Sequence, residues 1–181
     1  MTDAVLAWAG VLALLGLWML GAHNRITALR AAILGAWSQV DAVLQARGKA
    51  LAALLAAAGA PLAAESAALE AVASAQTQLQ LAADAVRRTP VAHDAVAELG
   101  KADAVLGALL VRLEALVEQQ PALLADPAVA APLKVLRDCR AQLGFARQLF
   151  NDAGAAYNRA TQQFPTRLLR SVLRFGQAGR L

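Results

Sequence analysis

From Ala4 to Ala22 (AVLAWAGVLALLGLWMLGA) nineteen residues pass without a charge, and beyond Arg25 the apolar positions settle into a helical period. At about 1.5 Å per residue the charge-free run spans roughly 28 Å, close to the roughly 30 Å hydrocarbon thickness of a bilayer. Eight of its residues are Leu or Val, each worth about −0.3 to −0.6 kcal/mol at mid-membrane. The run predicts a transmembrane helix with Ala4, Trp8, Leu12, Leu15, Trp18 and Ala22 in the span. A buried core helix is the competing reading, but the run is long for one and carries no polar stripe. The leader Met1-Thr2-Asp3 is not basic and Leu20-Gly21-Ala22 is no small-x-small exit, so an uncleaved anchor is expected.

Strong breaks after the span are few: Gly59-Ala60-Pro61, Thr89-Pro90, the stretch from Gln120-Pro121 to Pro132, and Phe164-Pro165. They delimit helices at about 24–58, 62–88, 91–119 and 128–163, the first running straight on from the span. In the last, Leu136, Cys139, Leu143, Ala146, Phe150, Ala153, Tyr157, Ala160 and Phe164 alternate at spacings of 3 and 4, a heptad seam. The second repeats the spacing with Leu69, Val72, Gln76, Leu79, Ala83 and Val86, broken by one amide. The third does so with Leu99, Ala102, Leu106, Leu109, Leu113 and Leu116, widened by Val105, Leu110 and Val117. Thr89-Pro90 and Asp126-Pro127 each offer an N-capping side chain before a proline suited to a first helical turn. No period-2 alternation predicts strands. The expected fold is all-α: an anchor at 1–23, an antiparallel long-helix (four-helix) bundle with coiled-coil packing at 24–165, and a tail at 166–181.

Charge divides the chain unevenly. Through Asn158 there are 12 Lys/Arg against 13 Asp/Glu; from Arg159 onward there are five Arg and no acid. The basic balance therefore belongs to the tail, which argues against a nucleic-acid face on the body. Leu168, Leu169, Val172, Leu173 and Phe175 fall on one side of a tail helix and Arg167, Arg170 and Arg174 near the other. Such a helix lies on an anionic leaflet, with Arg167, Arg170, Arg174 and Phe175 at its surface, or closes the bundle with its arginines in water. Arg25 and Arg30 follow the span while only Asp3 precedes it. By the positive-inside rule the body is cytoplasmic and the N-terminus outside. Cys139 is alone, which excludes an internal disulfide and suits a reducing compartment.

The pattern offers no catalytic constellation, cofactor motif, metal motif or small-molecule site. His23 sits just past the span and His93 opens the third helix, neither with a ligand partner at i+3 or i+4. Glu114 and Glu118 share a helix face, either for a cation or, more simply, for arginines on a neighbouring helix. Cys139, in a seam, reads as a small buried apolar residue. Asp41 lies one turn from Trp37 beside the Trp37, Val40, Leu44 stripe, and Asn151 and Asn158 form a polar stripe seven residues apart. Asp41 or Arg47 is expected to bond to that stripe as a register device.

Several stretches resemble the LemA family of bacterial membrane proteins. Ala36-Trp37-Ser38-Gln39-Val40-Asp41 with Leu44 and Arg47 resembles the family's A-W-s-x-[IV]-D-x-x-L-x-x-R stretch. Glu118, Pro121 and Leu123 resemble its L-x-x-x-x-E-x-Y-P-x-L element. Ala146-Arg147, Phe150-Asn151, Tyr157-Asn158 and Phe164-Pro165 resemble its A-R-x-x-Y-N…Y-N…F-P signature. The family's D-L-[IV]-P-N run is replaced by Lys49-Ala50-Leu51-Ala52-Ala53, its Tyr before Pro by Gln120 and its first Tyr-Asn by Phe150-Asn151. The resemblance implies a single-pass protein of the bacterial inner membrane with an outside N-terminus, a cytoplasmic helical body and no established enzymatic activity.

The function expected is that of a non-enzymatic, membrane-anchored helical scaffold that works through helix contacts and self-associates on the bilayer. The alternative is an adaptor or regulator of a membrane protease or transporter, with a protein partner in the membrane.

Overall fold

The computed structural model describes residues 2–163 and 177–181, the side chains of residues 2–5, 7 and 11 excepted. Five helices account for most of it: α1 (Thr2–Ala58), α2 (Ser66–Arg88), α3 (His93–Glu118), the short α4 (Pro121–Leu124) and α5 (Pro127–Gln162). No strand occurs among the described residues, and the fold is all-α as the patterning predicts.

α1 is one unbroken helix of 57 residues, roughly 85 Å long. From Leu6 to Leu20 its large apolar side chains are 42–70% exposed. Among the described residues α1 is the one helix whose length and composition would let it cross a membrane. Past residue 25 the same helix turns a stripe inward, with Ile26, Ile33, Trp37, Val40, Leu44, Arg47, Leu51, Leu54 and Ala58 all buried. Those positions step by 7 and then by 3 and 4 in alternation, a second heptad seam.

The α5 seam is buried as the pattern predicts from Leu136 through Ala160, Ala153 only in part, and Val129 and Leu133 extend it backwards. α1 packs chiefly on α5, and α2 chiefly on α3. The first pair is antiparallel, since Arg30 lies over the Tyr157 ring while Trp37 meets Phe150. α2 returns beside α1, with Asp41 opposite Arg87 and Gly48 opposite Gln76. A Cβ at Gly48 would stand 2.8 Å from the Gln76 amide nitrogen, the far end of a flexible side chain that would have to shift to admit it. The one amide in the α2 seam thus lies against the bare backbone of α1. A single hydrophobic cluster joins all four long helices.

Several boundaries move for local reasons. A turn of 3-10 helix at Ala63–Glu65 precedes α2, which starts at Ser66 instead of residue 62. Thr89 does not cap α3. Its N–H bonds back to Ala85 and Val86 and its hydroxyl to Ala85, so it ends α2, and α3 starts at His93. Asp126 does cap α5, accepting from the Ala128 N–H at 2.8 Å. Pro132 lies inside that helix without ending it.

The expected α3 seam is rotated. The buried positions are Val96, Leu99, Asp103, Leu106, Leu110, Leu113 and Val117, while Ala102, Leu109 and Leu116 are half-buried and Val105 is exposed. A carboxylate occupies a seam position there because the guanidiniums of Arg47 and Arg147 both face it.

Of the tail expected at 166–181, the amphipathic stretch with Leu168, Leu169, Arg167, Arg170, Val172, Leu173, Arg174 and Phe175, together with Phe164 and Pro165, lies outside the described residues. Its last five residues, 177–181, are not helical; they run along α5 with Ala178 and Gly179 buried.

Candidate functional site

Three helices converge on one carboxylate. Arg47 takes a seam position of α1 and is 5% exposed; Asp103 faces it from α3 at 7%. The Arg47 Nη2 donates to Asp103 Oδ1 at 2.5 Å, and Arg147 on α5 pairs with the other oxygen of the same carboxylate. Burial lowers the Arg47 pKa to about 10, which leaves it cationic at neutral pH. Arg147 is also lowered, first by burial and then by Arg47 nearby. Two cations on one anion leave a surplus positive charge, and the Arg47 Nε is buried without a hydrogen-bond partner among the described residues. A cavity of about 250 Å³ adjoins the triad, lined also by Gly107, Gly144 and Arg140.

The α3–α5 edge continues as an ion-pair ladder. Arg140 donates to Glu114 at 2.7 Å and Arg137 to Glu118 at 2.5 Å. Glu114 and Glu118 thus serve arginines on a neighbouring helix, the simpler of the two uses expected for them. Among the described residues no group of three His, Cys, Asp or Glu side chains is placed to hold a metal ion.

Asp41 and Arg47 do not bond to the asparagine stripe, contrary to the expectation from spacing. Asp41 accepts from Arg87 of α2 at 2.6 and 2.9 Å and from Gln45 at 2.8 Å. The hydrogen bond to Asp41 holds the Arg87 pKa above its ordinary value. Both asparagines instead serve the backbone of 177–181. Asn158 donates to the Ala178 carbonyl at 3.1 Å and accepts from the Ala178 N–H at 2.8 Å. Asn151 does the same for Leu181, at 2.9 Å in both directions.

The remaining motif residues are structural. Trp37 and Leu44 are core, and Trp37 meets Phe150 edge-on with ring centroids 6.1 Å apart. Tyr157 is fully buried under the Arg30 guanidinium, its hydroxyl without a hydrogen-bond partner among the described residues. Pro121 opens α4 just past Glu118. In the apolar run, Trp8, Leu12, Leu15 and Trp18 are exposed, Ala22 is half-buried, and Ala4 is helical. The pattern singles out neither Asp103 nor Gly154, and it places 177–181 in the basic tail without giving them Asn151 and Asn158 as partners. Asp103 alone carried a signal, since it stands four residues after Leu99 and three before Leu106.

The LemA family model matches residues 36–180 of the chain. No curated protein matches it.

Proposed function

The chain belongs to the LemA family, and from that premise we propose that it is a membrane-anchored helical scaffold working through helix contacts and catalysing nothing. The observation that carries this reading is the continuity of α1. One helix holds an apolar exposed stretch from Leu6 to Leu20 and, without a break, the inward stripe that begins at Ile26. A hinge-free connection of that kind transmits the position of the bilayer to the body. The body lies on the cytoplasmic side of a bacterial inner membrane with the N-terminus outside, in keeping with Arg25 and Arg30 behind the span.

Copies associate through the outer faces of the helices, where Leu34, Leu81, Val111 and Phe145 are exposed. Native mass measurement of the full chain in mild detergent tests the reading. A mass of two or more chains is expected; a single chain, with no crosslinked ladder in membranes, overturns the scaffold. Protease added to right-side-out vesicles should spare the body, and its digestion would reverse the topology.

A further inference from the structure

We propose that the groove between α5 and the start of α3 is a binding site for an extended peptide strand with a small residue followed by glycine, and that residues 177–181 occupy it in cis. The site reads backbone. Each asparagine amide has one donor end and one acceptor end, and each is spent on the N–H and the backbone oxygen of a single residue, Ala178 for Asn158 and Leu181 for Asn151.

The spacing explains the pairing. Seven residues of helix advance about 10.5 Å, and three residues of a polyproline-II-like strand advance about 9.3 Å and return to the same side. Running opposite to α5, the strand presents Ala178 and Leu181, three residues apart, to the heptad-spaced amides of Asn158 and Asn151. Gly179 turns toward α3, where a Cβ would stand 2.6 Å from the Val96 Cβ and 3.1 Å from the His93 backbone. Gln177 and Arg180 are exposed.

Below the strand Gly154 forms the floor, where a Cβ would meet the Gly179 carbonyl at 3.4 Å and the Ala178 Cβ at 3.6 Å. The groove thus excludes a side chain at the glycine, admits a small one before it and leaves two positions unread. That is a recognition rule for a class of strands. A partner that presents an exposed small-Gly strand competes with residues 177–181 for the same four hydrogen bonds.

The test uses the full chain in mild detergent and a dye-labelled peptide with the sequence of residues 177–181. Gly179→Leu vacates the groove, and a chain ending at residue 176 vacates it independently. Saturable binding to both is expected by fluorescence anisotropy, with at least about tenfold weaker binding to the unmodified chain, whose own strand competes. Adding Asn158→Ala or Gly154→Val to Gly179→Leu should weaken binding at least about tenfold, as should replacing the glycine of the peptide by leucine. Absence of binding to both vacated variants, with helical content by circular dichroism unchanged, overturns the site. Equal binding with Asn158→Ala overturns the backbone-reading mechanism. The readout is independent of oligomeric mass, so a monomeric protein leaves it standing.

Discussion

The Arg47 guanidinium of α1 reaches the Asp103 carboxylate of α3 at 2.5 Å, in a place where both side chains are almost wholly removed from water. It ties the α1–α5 pair to the α2–α3 hairpin, because Asp103 also holds Arg147 of α5. A buried ion pair adds little net stability over an apolar substitute, but removing one partner leaves an uncompensated charge. Here one anion serves two cations, so the acid is the member whose loss is most damaging.

Asp103→Ala should therefore destabilise the body by about 3–5 kcal/mol. In a chain of this size that corresponds to a fall in Tm on the order of 10 °C. Arg147→Ala should cost far less, since its side chain is 34% exposed and its removal relieves the surplus positive charge. Thermal melts by circular dichroism in mild detergent give the ranking. Equal losses for the two variants would contradict the three-way arrangement.

The pair between Arg87 and Asp41 should behave differently. The arginine side chain is 40% exposed, and exposed pairs contribute about 0–1 kcal/mol. Arg87→Ala is expected to cost less than about 1 kcal/mol, with the effect shrinking as salt rises. In double-mutant cycles Asp41→Ala should couple to Arg87→Ala and not to Asn158→Ala, because Asn158 is engaged with residue 178.

Trp37 presents a third case, of packing without charge. Its ring is buried against the edge of Phe150, and truncation leaves a void that long, stiff helices cannot close. Trp37→Ala should cost about 3–5 kcal/mol, of which about 0.5–1.5 kcal/mol belongs to the aromatic pair. Denaturant midpoints for Trp37→Ala, Phe150→Ala and the double variant separate the two contributions.

These contrasts show what the residue pattern could and could not carry. The α5 seam was legible because apolar spacing alone determines which face is buried, and the Asp126 cap because it acts within two residues. The α3 seam came out rotated because the pattern treats a carboxylate as an outward-facing group. Whether Asp103 turns inward depends on Arg47 and Arg147, 56 residues before it and 44 after it in the chain. The spacing of Asn151 and Asn158 marks a polar stripe without marking its partner. Its true partner is backbone, which every residue carries, so no side-chain pattern points to it. Thr89 is ambiguous in the pattern because the same hydroxyl can accept from an N–H to begin one helix or donate to a carbonyl to end another, and here it donates to the Ala85 carbonyl at 3.2 Å.

Cys139 gives the last expectation, and it depends on pH. The thiol is 2% exposed in the α5 seam, and burial raises its pKa, opposed in part by the charge on Arg47. At pH 8 its reaction with a thiol reagent should be orders of magnitude slower in the folded protein than in denaturant, limited by opening of the helical body. The stability consequence follows from which state loses its proton first. Below the unfolded thiol pKa of about 8.5 both states are protonated and nothing is lost. As pH rises beyond it the unfolded thiol ionises first, so the unfolded state binds fewer protons and folding stability falls until the folded thiol also ionises. Relative to Cys139→Ala, the unmodified protein should therefore lose Tm progressively across the pH window that opens at about 8.5, where the unfolded thiol begins to ionise while burial keeps the folded thiol protonated. A constant difference across that window would show that the thiol titrates alike in both states.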